Sequence, residues 1–155
     1  MLLKRLSLAT LSVLFILMFV GGYVSASGVG LSCPNWPLCP AGLVPMNDFI
    51  IEYFHRSIAA TTALLVFITM AFTLRSRVAP RGMKISSVIA GIAAAAQVSL
   101  GGIVIVERLH AILVTGHLGL GLVLFSMTLM TVLYAFKLPR KEPRADTAIS
   151  TSTTV

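Results

Sequence analysis

The chain has 155 residues, of which 57% are hydrophobic and only 11% charged, and its mean hydropathy is +0.95. These values exclude an ordinary soluble domain. The net charge of +7 does not indicate nucleic acid as a partner, because nearly every Lys and Arg stands at the edge of an apolar run instead of on a face interleaved with aromatic residues. The composition predicts a small all-α integral membrane protein whose surroundings are the lipid bilayer.

Residues 6–24 form an apolar run behind Lys4 and Arg5. Its length of about 19 residues spans a hydrocarbon core of roughly 30 Å at 1.5 Å per residue. Val24-Ser25-Ala26 loosely matches a signal-peptide cleavage site. The run exceeds the usual signal core of about 7–15 residues, so a retained helix is expected. Residues 27–48 make a Pro/Gly/Ser-rich loop without Lys or Arg, containing Cys33-Pro34-Asn35-Trp36-Pro37-Leu38-Cys39, whose prolines exclude regular helix or strand. Three more apolar runs cover 49–74, 85–106 and 111–136. A basic turn around Pro80-Arg81-Gly82 joins the second to the third, and Glu107-Arg108-Leu109-His110 joins the third to the fourth. Residues 137–155 are basic and then Ser/Thr-rich, with no apolar periodicity. The expected organisation is a four-helix domain over 1–136 followed by a disordered cytoplasmic tail.

Orientation follows from the basic residues. Lys4 and Arg5, the turn with Arg75, Arg77, Arg81 and Lys84, and the segment with Lys137, Arg140, Lys141 and Arg144 share one side, against Arg108 alone on the other. Both ends of the four-helix unit are therefore expected in the cytoplasm of a multi-pass cell-membrane protein. The cysteine loop then lies outside, where a disulfide between Cys33 and Cys39 can persist, either as a staple or as a redox relay.

The second run opens with Asp48, Glu52, His55 and Arg56. Ionisable groups within membrane segments are costly and mark functional sites by default. Glu52 and His55 share a helix face, and Arg56 lies four residues from Glu52. The other histidine deep in an apolar run is His117. On the expected topology, His55 is about seven residues past Asp48 and His117 about seven past His110, so both lie roughly 10 Å from the outer helix ends. Matching depth predicts that His55 and His117 hold one haem iron between two inward-running helices. Zinc is the weaker reading, since it wants four ligands and the cysteines lie in the loop. His110, at the outer boundary, is expected to be interfacial. Glu52 is either a proton-transfer group or one half of a structural pair with Arg56. Arg56 and Arg108 are candidate partners for haem propionates.

The chain also carries a weak internal repeat. Gly21-Gly22 near the end of the first run and Gly101-Gly102 near the end of the third are each followed by a run with one histidine. This predicts two parallel two-helix units, with the cysteine loop as an insertion in the first. Paired glycines permit close approach of a neighbouring helix or of a flat ligand.

The stretch from Gly28 to Cys39, then Glu52-x-x-His55-Arg56, Leu100-Gly101-Gly102 and Gly116-His117-Leu118, resembles the haem A synthase family over nearly all of Gly21 to Phe136. The resemblance implies oxidation of the C8 methyl of haem O to a formyl group in the membrane, during maturation of terminal oxidases. By residue it implies His55 and His117 as axial haem ligands, Glu52 as the acidic residue required for the chemistry, and Cys33 and Cys39 as the paired loop cysteines. Haem O is then the substrate, haem B an expected cofactor, and haem O synthase and the terminal oxidase expected contacts. The usual family member resembles two fused four-helix units with two histidine pairs, so this single unit implies either two or more chains assembling to recreate both sites, a homo-oligomer being the favoured reading, or one site serving in turn for substrate and cofactor. A non-catalytic bis-histidine b-type cytochrome exchanging electrons with quinone is the main alternative. A disulfide-generating oxidoreductase would ordinarily need a second cysteine pair, and a purely structural subunit leaves Glu52, His55 and Arg56 unexplained.

Overall fold

The computed structural model describes residues 2–32, 36 and 50–138. Four helices fill most of them: α1 (Leu2–Ser27), α2 (Ile50–Arg75), α3 (Arg81–Val106) and α4 (Ala111–Phe136), with a 3₁₀ turn over Val29–Leu31. Each α-helix has 26 residues and is long and apolar enough to cross a membrane. The helices run past the apolar stretches at their basic ends, so that Lys4, Arg5 and Lys84 are helical. Long cationic side chains keep their stems along apolar surface and their heads in water, which makes that extension inexpensive. Pro80 at the N-cap starts α3 without losing a helical hydrogen bond. The described part of the tail ends at Leu138; the remainder of 137–155, Cys33, Cys39 and most of the 27–48 loop lie outside the described residues.

The helices pack in a ring, α1 on α2, α2 on α3, α3 on α4 and α4 back on α1, leaving α2 and α4 on one diagonal. One end of the bundle holds the α2–α3 turn, the start of α1 and the end of α4; we call it the terminal end. The other, the loop end, holds the α1–α2 and α3–α4 connections.

The terminal half is filled by small side chains. Leu14, Val66, Ala90, Ala93, Ala94 and Leu124 form one buried cluster, and Ala79, Met83 and Ala135 another at the extreme end. Without a hydrophobic driving force between helices in lipid, close backbone approach and interhelical hydrogen bonds hold such a bundle together. Thr10 and Thr69 share a hydroxyl bond of 2.8 Å between α1 and α2, and Ser86 and Thr131 one of 2.9 Å between α3 and α4. Lys4 Nζ donates to the carbonyl of Leu138 at 3.1 Å and lies 5.9 Å from the Phe136 ring centroid, tying α1 to the carbonyl-rich end of α4. A double-mutant cycle of Thr10→Val with Thr69→Val should give a coupling of about 0.6 kcal/mol in thermal or denaturant unfolding; a value of zero would show that the hydroxyl bond adds nothing beyond packing.

Candidate functional site

The ionisable residues collect at the loop end. Glu52 sits in the first turn of α2, where the helix dipole favours a negative charge, and is 2% exposed. Its carboxylate is held from two directions: Arg56, one turn on, donates through Nη2 to Oε1, and Ser32 donates through its hydroxyl to Oε2 at 2.9 Å. Glu placed four residues N-terminal to a cation is the favourable order on a helix. The geometry therefore contains the Glu52–Arg56 pair that the spacing left open as one of two roles. Arg56 is half-buried and committed in part to Glu52, whereas Arg108 is exposed on the α3–α4 turn.

The histidines lie one on each diagonal helix, and both are half-buried. His55 is within electrostatic reach of His117, Glu52 and Arg56. Each ring rests against a glycine of the preceding helix: a methyl group at Gly21 would stand 3.0 Å from His55 Cε1, and one at Gly101 would stand 3.4 Å from His117 Cε1. The first glycine of each pair thus makes room for an imidazole. The second behaves differently in the two halves, since Gly102 is covered by the Trp36 ring at 3.1 Å while nothing lies within 4 Å of the corresponding position at Gly22.

Neither imidazole makes a hydrogen bond to a described residue, and in each the buried nitrogen is Nδ1, so Nε2 remains the accessible one. Metal-bound histidines ordinarily orient the ring through a hydrogen bond at the other nitrogen; here the described contact that positions each ring is its packing against Gly21 or Gly101. Among the described residues no three His, Cys, Asp or Glu side chains gather as a metal site, and two facing imidazoles are a donor set that a haem iron can use. The residues present fit a haem on these grounds. His110 precedes α4 and is exposed, in keeping with an interfacial position.

Two participants were given no role by the sequence, although Gln97 interrupts the third apolar run. Ser32 follows the Val29–Leu31 turn, and that turn is fixed where Gly30 packs against Leu109 of the α3–α4 connection. Gln97 lies one helical turn from Gly101 toward the terminal end; its amide nitrogen approaches Gly121, and its Oε1 is buried without a partner among the described residues. The α3–α4 connection closes α3 by bonds from Leu109 N to Val104 O at 2.8 Å and from Arg108 N to Ile105 O at 3.1 Å. Arg108 and Leu109 take φ values of 48° and 60°, the left-handed conformation that usually goes to glycine here.

Residues 46–155 match the COX15-CtaA family, described as cytochrome oxidase assembly protein. The chain belongs to this family. Curated relatives named heme A synthase include that of Bacillus pumilus, 31% identical over 147 residues covering 92% of this chain and 48% of the relative. That of Bacillus licheniformis is 27% identical over 143 residues, covering 90% and 47%, and that of Exiguobacterium sibiricum is 30% identical over 138 residues, covering 84% and 46%. The chain spans about half the length of these COX15-CtaA relatives.

Removing one member of a buried ion pair leaves the other charge uncompensated. Glu52→Gln should therefore lower the unfolding free energy by about 3 kcal/mol, read by thermal melting of the purified protein in detergent. The double variant Glu52→Gln/Arg56→Gln should recover part of that loss. An unchanged melting temperature in the single variant would contradict a stabilising pair.

Proposed function

We propose that this chain is a haem A synthase unit that binds haem O between α2 and α4 and oxidises its C8 methyl to a formyl group for terminal oxidase maturation. The observation that carries this reading is the pair of half-buried imidazoles on diagonal helices, each without a hydrogen-bond partner among the described residues and each backed by a glycine, beside a buried carboxylate. The similarity to heme A synthases over most of the chain supports it.

In this reading His55 and His117 would hold the haem iron. The bound ring supplies the redox-active iron and the methyl group that is oxidised. Glu52 would manage a proton or stabilise positive charge developing at the methyl carbon. Arg56 and Ser32 keep that carboxylate in place, and Arg56 with Arg108 meets the propionates on the loop side. A Cys33–Cys39 disulfide stiffens the outer loop as a staple. The bundle stands with both described ends on the cytoplasmic side and is built from two parallel two-helix units. Haem B serves as cofactor in a second histidine pair, supplied by another copy of the chain in a homo-oligomer. Contacts with a haem O synthase and with the oxidase deliver the substrate and take the product.

Expression with a haem O source, followed by pigment extraction and mass analysis, tests the activity. Haem A should accumulate with the wild-type chain, and Glu52→Ala should cut conversion by about 10²-fold or more while haem is retained. Haem B alone in the purified protein would favour the b-type cytochrome, and full conversion by Glu52→Ala would remove the role given to that residue.

The unequal clearances at the two glycines give a second test. Gly21→Ala should lower haem occupancy about tenfold, the effect of roughly 1.4 kcal/mol, because His55 must move; Gly101→Ala, with ordinary contact distance, should leave the visible spectrum and occupancy unchanged. Equal tolerance at both positions would argue against iron ligation by His55 in this geometry.

A further inference from the structure

The α1–α4 seam is the least extensively packed of the four, and it carries an open groove of about 320 Å³ lined by Phe15, Met18 and Phe19 of α1 and by Leu122 and Phe125 of α4. An apolar surface is unremarked in lipid, but a concavity this large reaches the lower end of the range for small-molecule sites, about 300–1,000 Å³. Its position relative to the histidines is what distinguishes it. Leu122 lies five residues past His117, roughly 7.5 Å along α4, and Met18 and Phe19 lie within one turn of Gly21, which touches His55.

A ring ligated from α2 and α4 presents its edges to α1 and α3. On the α3 side the way is blocked, because Trp36 covers Gly102 and Gln97 packs against Gly121. On the α1 side it is open. Gly22 shares a face with Phe15, Met18 and Phe19 at helical spacing, and nothing lies within 4 Å of the place a side chain would start. A substituent on the edge facing α1 would pass Gly22 to reach the groove, whose lining lies on the terminal side of Gly22.

We propose that the groove holds the isoprenoid chain of the substrate, the hydroxyethylfarnesyl group that distinguishes haem O from haem B. The assignment rests on the haem reading of the histidine pair. Because groove and lipid are equally apolar, the gain comes from packing and tethering instead of escape from water, so the selectivity it confers is modest.

The full chain in phosphatidylcholine nanodiscs, titrated separately with haem O and haem B and followed by visible spectroscopy, provides the test. The wild type should bind haem O about tenfold more tightly than haem B. Leu122→Trp and Phe15→Trp, which fill the groove from exposed positions, should bring the two affinities within about twofold, leaving haem B binding and its bis-histidine spectrum unchanged. Leu64→Trp, on the exposed face of α2, should keep the wild-type preference. Full preference in both filled variants would overturn the assignment and mark the groove as a lipid acyl-chain site. Failure of the wild type to give a bis-histidine spectrum with either haem would instead refute the haem reading, and the groove assignment with it.

Discussion

A carboxylate cannot be carried into the end of a transmembrane bundle without donors that travel with it, and the arrangement around Glu52 meets that constraint within a few residues. The first turn of α2 offers its dipole, Arg56 a guanidinium one turn on, and Ser32 a hydroxyl from the preceding connection. The Ser32 contact also ties the described start of the α1–α2 connection to α2. Gly30 must lie against Leu109 for Ser32 to reach the carboxylate, so the connection and the α3–α4 turn are braced on each other. The left-handed backbone at Arg108 and Leu109 sits within that brace.

The two ends of the bundle solve different problems. At the terminal end, alanines, small hydroxyls and Lys4 close the ring of helices, and Thr10, Thr69, Ser86 and Thr131 bond across it. Buried side-chain atoms without a partner among the described residues occur toward both ends, Thr73 Oγ1 at the terminal end and His55 Nδ1, His117 Nδ1 and Gln97 Oε1 in the loop half. The loop half is set apart by the kind of group, since its orphans include both imidazoles.

Much of this was legible in the sequence because lipid permits so few solutions. Four apolar runs of spanning length leave no alternative to helices, and hydrogen-bond satisfaction inside the bilayer makes the run boundaries nearly the helix boundaries. Glu52, His55 and His117 could be singled out from the cost of putting such groups in apolar runs, and the fold brings them to the loop end of the bundle. The shortfalls have equally physical causes. Helix ends at Leu2 and Arg81 reach beyond the apolar runs because hydropathy does not register snorkelling cations. Ser32 and Gln97 are ordinary polar residues by composition, and only the folded connection or a neighbouring helix gives them a role. The choice between an ion pair and a solitary acid at Glu52 depends on a rotamer of Arg56, which spacing allows but does not dictate.

The two histidines occupy comparable places, but their neighbours do not. Val114 and Leu118 stand at the offsets from His117 that Glu52 and Arg56 hold from His55. A porphyrin held between them would therefore meet a polar face on one side and an aliphatic one on the other, and flipping it over would no longer be neutral. Under the proposed haem reading that broken symmetry would set the regiochemistry, since a methyl group brought next to the Glu52 side would be the one presented for oxidation.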